Sequence, residues 1–283
     1  MDVRRPPDAP FAIPLVTFSA VPIDDPADPR LAPYTAMRER DLVGREGRFI
    51  VEGEVTLRVM LSGRARFGLQ SVLLAPERLD PLREPLARLP ADVPVFCASK
   101  PVMSAITGFP IHRGVLAVGL RGAETEPDLP AAPGPALVVG LVGLTNHDNV
   151  GGLFRNAAAF GADAVLLDAA TCDPLYRKAI RVSAGAALTV PFRRLADADA
   201  ILAHAACHEL VPLALSPSGA ETLSALSAPS RTLLILGTEG PGLAPALLAR
   251  LRTLRIPMAP DFDSLNVATA GAIALHHLAA SRG

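Results

Sequence analysis

Short apolar runs alternate with amphipathic segments along most of the chain. Mostly apolar runs, which are typical of buried strands, lie at 69–75, 93–98, 114–122, 136–144 and 231–237, and the run at 136–144 is uninterrupted. Segments with helical periodicity or many small residues separate them, among them "VGGLFRNAAAFG" and the closing "LNVATAGAIALHHLAASR". Strands that alternate with helices favour an α/β fold with a parallel sheet.

The same pattern divides the chain into two α/β domains. Residues 1–33 are rich in Pro and Asp and lack periodicity, so we predict a poorly ordered N-terminal extension. A smaller α/β domain is predicted over 34–122 and a larger one over 136–283. The acidic, Pro-rich segment "AETEPDLPAAPGP" (123–135) is the predicted linker between them.

Composition restricts the class of protein. Half of the 283 residues are hydrophobic and the formal net charge is −1, which excludes an intrinsically disordered chain. The apolar runs are too short for a spanning helix, and "FAIPLVTFSA" is too short and too broken by Pro14 to predict a secretion signal, so we expect no membrane association. The scattered cysteines form no disulfide pattern, which predicts a cytoplasmic location.

Three loops of the larger domain carry unusual polar residues. In open α/β sheets, ligands bind outside the carboxyl ends of the strands. "NHDNVGGLFRN", with Asn149 and Arg155, follows one predicted strand, and "GTEGPG", with Glu239, follows another. "IPMAPDFDSLN", with Ser264 and Asn266, follows the last. Each loop alone has a structural explanation, as a helix cap or a glycine turn, but together they predict one site.

These three loops, with "IRVSAGAALTVPF" between the first two, resemble the motifs of the SpoU/TrmH-type RNA ribose 2'-O-methyltransferases of the SPOUT superfamily. The resemblance covers 136–283. The smaller domain, with "FIVEGEVTLRVML" and "HRGVLAV", resembles the RNA substrate-binding domain of that family. The resemblance implies a parallel sheet with a C-terminal trefoil knot and a homodimer with active sites at or near the interface.

The implied reaction is methyl transfer from S-adenosyl-L-methionine to a ribose 2'-hydroxyl of RNA. The two-domain layout favours ribosomal RNA over tRNA as the substrate. Two alternatives stay open: a tRNA ribose 2'-O-methyltransferase, and a non-catalytic RNA-binding or ribosome-assembly protein on the same fold.

The resemblance also assigns roles to residues. Arg155 would bind the target phosphate or the developing alkoxide, because a guanidinium is hard to deprotonate and is a poor general base. Glu239 would orient Arg155 or bind RNA, while Asn149, Ser264 and Asn266 would position the ribose and the loops. The residues implied to cradle the cofactor are Leu236, Gly237, Ile256, Met258 and Leu265.

RNA binding must come from local positive charge, since the net charge is near zero. The candidate cations are Arg45, Arg48, Arg58, Arg64 and Arg66 in the smaller domain and Arg177, Lys178 and Arg181 in the larger one. With no Trp and only two Tyr, an aromatic platform for single strands is not expected.

Two further patterns are assigned no function. His204 and His208 lie four residues apart, but no further ligand is evident, so we interpret them as a helix surface and predict no metal site. Asp168 follows a strand as in a dinucleotide site, but the preceding glycines do not have the G-x-G-x-x-G spacing.

Overall fold

The computed structural model describes residues 19–35, 43, 46–238 and 240–280, and within them the chain forms two β-sheets. The first sheet has the order β1-β4-β3-β5-β2 and is mixed: β5 runs antiparallel to both of its neighbours, and the other pairs are parallel. Its strands are β1 Ala20–Pro22, β2 Arg48–Glu52, β3 Gly68–Leu74, β4 Val95–Cys97 and β5 Val115–Leu120. Its helices are α1 Glu54–Met60, α2 Arg83–Leu86 and α3 Lys100–Thr107, with 3-10 turns at Pro29–Tyr34 and Pro76–Arg78.

The second sheet has seven strands in the order β10-β12-β9-β11-β6-β7-β8, and every pairing is parallel. This confirms the predicted α/β class. Its strands are β6 Ala136–Leu141, β7 Ala164–Leu167, β8 Phe192–Arg194, β9 Val211–Leu215, β10 Glu221–Thr222, β11 Arg231–Leu236 and β12 Arg252–Arg255. Its helices are α4 His147–Ala159, α5 Arg177–Val182, α6 Ala198–Cys207, α7 Pro245–Leu248 and α8 Val267–Ala280, with 3-10 turns at Ala186–Leu188 and Leu223–Ala225.

The described part of the predicted extension is ordered, contrary to our expectation. Strand β1 pairs with β4 at the edge of the first sheet. Leu31 and Tyr34 are buried, and the Tyr34 hydroxyl lies 2.8 Å from Ser71 Oγ on β3. The Pro and Asp residues hid this strand because they have low β-propensity. Residues 1–18, 36–42, 44 and 45 lie outside the described residues.

The two sheets are joined by a shared core. Phe49 on β2 contacts Phe67 edge-on, with ring centroids 5.3 Å apart. Phe67 lies 6.2 Å from Phe192 on β8, which packs edge-on against Phe154 of α4 at 5.7 Å. The predicted linker, 123–135, falls in the stretch without helix or strand between β5 and β6. The division into domains at that segment stays a prediction.

The parallel pairing determines where a ligand site can form. Strands β12, β9, β11 and β6 are consecutive neighbours, so their carboxyl ends lie along one edge of the sheet. The loops after these strands therefore meet, although they are far apart in the chain. None of the described helices is both long and apolar enough to cross a membrane.

Candidate active site

A cavity of about 280 Å³ lies at the carboxyl ends of β9, β11 and β12. Its walls are mostly apolar side chains and glycine backbone, with a few hydroxyl and amide groups, as is usual for small-molecule sites. Seven residues singled out in the sequence line it: Leu236, Gly237, Ile256, Met258, Ser264, Leu265 and Asn266. The structure therefore brings together two of the three predicted loops and all five predicted cofactor residues.

Sequence reasoning missed one wall of this cavity. Strand β9 lies between β11 and β12 and ends at Leu215; Leu215 and the next two residues, Ser216 and Pro217, line the cavity from that side. The signal was present, because "LALSPSG" is an apolar run followed by a polar turn. The same rule about strand ends would have found it.

The turn after β11 is built on close backbone contact. A Cβ atom at Gly237 would lie 2.6 Å from Leu243 N and 2.7 Å from Gly242 C, which leaves no space for a side chain. Gly240 and Gly242 have φ of +79° and +68°, a region that glycine adopts readily. Thr238 and Gly242 pair as a bridge that closes the turn. The predicted Glu239 lies within this turn but outside the described residues.

Asn266 connects the third loop to the first. Its Oδ1 accepts hydrogen bonds from the N–H groups of Ala268 (2.9 Å) and Thr269 (3.2 Å), so it caps α8. Its Nδ2 donates to Oδ1 of Asn149 at 2.8 Å. Asn149 is 5% exposed, and no described residue accepts a hydrogen bond from its Nδ2. The structure thus places the three predicted loops around one site.

Helix α4 is held tightly against both α5 and α8. A Cβ at Gly151 would lie 2.7 Å from the carbonyl oxygen of Ala179 on α5. On the other side, a Cβ at Gly152 would lie 2.9 Å from Cβ of Ala268, and Asn156 Nδ2 donates to the Ala268 carbonyl at 2.8 Å. The glycine pair therefore allows helix contacts that place Asn149 beside Asn266.

Arg155 and Ser264 occupy different positions relative to the cavity. Ser264 lines it, and its hydroxyl donates to Asp263 Oδ1 at 3.2 Å. Arg155 is exposed on α4 and does not line it. Among the described residues, Arg155 has no ion-pair partner. Within one chain, the structure leaves the guanidinium facing solvent.

Most of the predicted RNA-binding cations in the described segments are paired with carboxylates. Arg177 lies 3.0 Å from Glu52, and its guanidinium stacks 4.3 Å above the centre of the Phe109 ring. Arg181 approaches the same carboxylate at 3.8 Å, and Lys178 pairs with Asp148 at 2.7 Å. Arg177 and Arg181 thus join the two sheets rather than forming a free basic patch.

The cations of the smaller domain differ among themselves. Arg48 pairs with Glu46 at 2.9 Å and Arg58 with Glu54 at 2.9 Å. Arg64 is exposed, and Arg66 donates to the hydroxyl of Thr125 at 3.2 Å; neither has a carboxylate partner among the described residues. Arg45 lies outside the described residues.

Asp168, near the first loop, has a structural role. Asp168 is buried, and its carboxylate accepts hydrogen bonds from Gly143 N (3.1 Å) and from Thr171 N and Oγ1 (2.8 and 2.6 Å), which fastens the loop after β6. It is therefore not a nucleotide ligand.

Burial, with a smaller effect of Asp173, raises the pKa of Cys172 to about 11. A protonated thiol of this kind is a poor nucleophile.

One interpretation from the sequence was wrong. We placed His204 on a helix surface, but its side chain is 8% exposed and packs against the segment that precedes β6. The carboxylate of Glu126 from that segment lies beside it.

Comparisons with known proteins agree with the geometry. The model of the SpoU rRNA Methylase family matches residues 136–276. An uncharacterized tRNA/rRNA methyltransferase of Mycobacterium tuberculosis is 39% identical over 263 residues, which cover 89% of each chain.

Solved structures show the same fold over almost the whole chain. The SpoU methyltransferase AviRb from Streptomyces viridochromogenes, solved with the cofactor AdoMet, superposes with a TM-score of 0.75 at 22% identity and covers 89% of this chain and 96% of its own. An RNA 2'-O ribose methyltransferase superposes with a TM-score of 0.73 at 24% identity, covering 93% and 99%.

Proposed function

The chain belongs to the SpoU rRNA Methylase family and is an RNA methyltransferase of that family; we propose that it transfers a methyl group from S-adenosyl-L-methionine to a ribose 2'-hydroxyl of ribosomal RNA. The observation that carries the proposal is the cavity at the carboxyl ends of β9, β11 and β12. It gathers the five residues predicted to cradle the cofactor with the two polar residues predicted to handle the ribose.

The cavity suits a cofactor that has both apolar and hydrogen-bonding parts. Leu236, Ile256, Met258 and Leu265 offer apolar surface for a flat ring, and the backbone around Gly237 offers N–H and C=O groups. The turn can close against Gly237, and so shape this wall of the cavity, only because that residue lacks a Cβ. When bound, S-adenosyl-L-methionine supplies a methyl group on a positively charged sulfur.

The protein's own residues must align the acceptor and help it to lose a proton. A ribose hydroxyl is a weak nucleophile until it is deprotonated. The Arg155 guanidinium, which stays charged, would bind the adjacent phosphate or the developing alkoxide and lower the hydroxyl's pKa. Asn149, whose Nδ2 has no described acceptor, and Ser264 would hold the ribose in line. Glu239 would orient Arg155 or bind RNA.

We further propose that the protein acts as a homodimer. Arg155 is exposed on α4, outside the cavity of its own chain. Apolar side chains close to the third loop are also exposed, Ile273 on α8 at 40% and Phe262 at 65%. Pairing of two chains over this surface would bury them. Sedimentation analysis should then give twice the chain mass.

A trefoil knot in the C-terminal part remains our proposal for the chain path. After β12 the chain must pass the ends of β9 and β11 to reach α8, which packs against α4. The turn at 237–243 lies on this route and lines the same cavity as the segment that passes it. An experimental structure in which 256–266 runs outside that turn would contradict the knot.

The RNA would contact the smaller domain and the cavity together. Arg64 and Arg66 are the predicted cations there without a described carboxylate partner, so they are the best candidates for phosphate contacts. Because such contacts release counterions, binding should weaken steeply with salt. We keep the cytoplasm, where ribosomal RNA is available, as the predicted location.

Replacement of Arg155 tests the proposal. Arg155→Ala should bind S-adenosylhomocysteine as the wild type does, but should transfer labelled methyl groups to ribosomal RNA about 10²- to 10³-fold more slowly. Arg250→Ala, which removes an arginine paired with Asp199 on another surface, is the control and should be active.

Two results would overturn parts of this account. If Arg155→Ala transferred methyl groups at nearly the wild-type rate, Arg155 would not stabilise the phosphate or the alkoxide as proposed. Failure of the wild-type protein to bind S-adenosylhomocysteine at all, together with tight RNA binding, would instead support a non-catalytic RNA-binding protein.

A further inference from the structure

Three side chains able to bind a metal converge at the end of α6, outside the cavity. His204 and His208 lie one helical turn apart and so project from the same face. Glu126 comes from the segment between β5 and β6. One ligand atom of each lies within 4.8 Å of the others. Sequence reasoning found the histidines but could not place Glu126, which precedes His204 by 78 positions.

His204 is buried, and neither of its ring nitrogens makes a good hydrogen bond to a described residue. Its side chain is 8% exposed, and its buried Nε2 has no hydrogen-bond partner among the described residues. Its Nδ1 faces Oε1 of Glu126 at 3.4 Å, longer than a good hydrogen bond. Buried polar atoms without a hydrogen bond are rare, and a metal between Nδ1 and Glu126 would give Nδ1 a partner.

The observed separation matches that of two ligands on one metal. Tetrahedral Zn²⁺ binds imidazole nitrogen and carboxylate oxygen at about 2.0–2.2 Å, so two such ligand atoms are about 3.3–3.6 Å apart. The 3.4 Å between His204 Nδ1 and Glu126 Oε1 fits this spacing. The His208 ring lies beside that of His204, with centroids 4.5 Å apart, and side-chain rotation would complete the approach.

The Glu126 carboxylate is also held in place from outside the cluster. Arg193 pairs with Oε2 of Glu126, so one carboxylate oxygen is held by the guanidinium while the other faces the histidine. Outer hydrogen bonds of this kind orient metal-binding carboxylates.

We propose that Glu126, His204 and His208 form a site for a divalent first-row transition metal such as Zn²⁺, with the fourth position open to water. Because Glu126 lies in the segment between the two sheets, a bound metal would fasten that segment to α6. This inference revises the prediction of no metal and does not depend on the proposed methyl transfer, since none of the three residues lines the cavity.

Titration of the chelator-treated, untagged full chain with Zn²⁺ by calorimetry tests the site. We expect one saturable site per chain, at least about tenfold weaker in Glu126→Gln and in His208→Gln. His112→Gln, which removes an exposed histidine elsewhere, should bind as the wild type does. Glu126 is 47% exposed, so its replacement should leave the fold intact, as circular dichroism can confirm.

A second readout tests the consequence for the segment between the sheets. Zn²⁺ should slow proteolytic cleavage within 121–135 in the wild type and in His112→Gln, but not in Glu126→Gln. Equal Zn²⁺ affinity in Glu126→Gln, His208→Gln and the wild type would overturn the proposal. So would the absence of saturable binding in the wild type.

Discussion

Asn266 makes two kinds of contact at the site, one within its own helix and one to another loop. Asn266 caps α8 through Oδ1 and donates to Asn149 through Nδ2. The sequence supported either a cap or a functional residue, and the structure shows that the cap is real. It also shows the contact to Asn149, 117 positions away, which no local pattern could reveal.

Two substitutions of Asn266 should separate these tasks. Asn266→Ala should lower the free energy of unfolding by about 1 kcal/mol, because the cap is lost. Asn266→Asp should keep the cap, but its carboxylate can only accept, so Asn149 must reverse its amide. We expect both variants to transfer methyl groups at least about tenfold more slowly. Denaturant unfolding and transfer assays measure the two effects.

If Asn266→Asp transferred methyl groups at the wild-type rate, Asn266 would serve only as a helix cap. Reduced transfer in both variants, with reduced stability only in Asn266→Ala, would support its positioning role.

The ion-pair partners of the basic residues were the feature that the sequence predicted least well. Arg177 and Arg181 were proposed as RNA ligands because they are basic and close together in the sequence. Their carboxylate partner, Glu52, belongs to the other sheet and precedes Arg177 by 125 positions. Long-range ion pairs of this kind leave no periodic signal in a sequence. Asn149 and Asn266, by contrast, could be predicted from the loops that carry them.

Among the elements, buried strands were predicted well and edge strands poorly. The apolar runs at 136–144 and 231–237 correspond to β6 and β11, whose residues are all buried. Strand β1 has three residues, lies at an edge and contains Pro22, so it carries no apolar run. The turns after the strands could be predicted as a ligand site because parallel strands place their carboxyl ends together.

The glycine turn after β11 gives a direct test of the cavity as the cofactor site. In Gly237→Ala the new Cβ would collide with the backbone at Gly242 and Leu243, so the turn must shift. We expect S-adenosylhomocysteine to bind at least about tenfold more weakly, with a loss of about 1–3 kcal/mol in the free energy of unfolding. Isothermal calorimetry and denaturant unfolding measure the two quantities.

Gly68→Ala is the matched control for this substitution. Its Cβ would lie 3.9 Å from Cβ of Leu120, an ordinary contact, and Gly68 does not line the cavity. It should change stability by less than about 0.5 kcal/mol and leave cofactor affinity unchanged. If Gly237→Ala bound S-adenosylhomocysteine as tightly as this control, the cofactor would lie elsewhere.

At the scale of the whole molecule, the two sheets form one unit around an aromatic core. Phe67, which packs on Phe49 of the first sheet, lies against Phe192 of the second sheet, and Phe192 packs on Phe154 of α4. Ion pairs between Glu52 and the α5 arginines add to this contact. These contacts fix the first sheet relative to the second sheet, which carries the cavity. If RNA binds to the first sheet, this fixed arrangement would bring the same ribose to the cavity each time.

Chemical identification of the methylated nucleoside tests the central claim most directly. Ribosomal RNA and tRNA would be incubated with the protein and S-adenosyl-L-methionine labelled in its methyl group, then digested to nucleosides and analysed by mass spectrometry. We expect label on the ribose of one nucleoside, as a 2'-O-methyl group, in ribosomal RNA. Label on a base, or no label in either RNA while the cofactor binds, would contradict it.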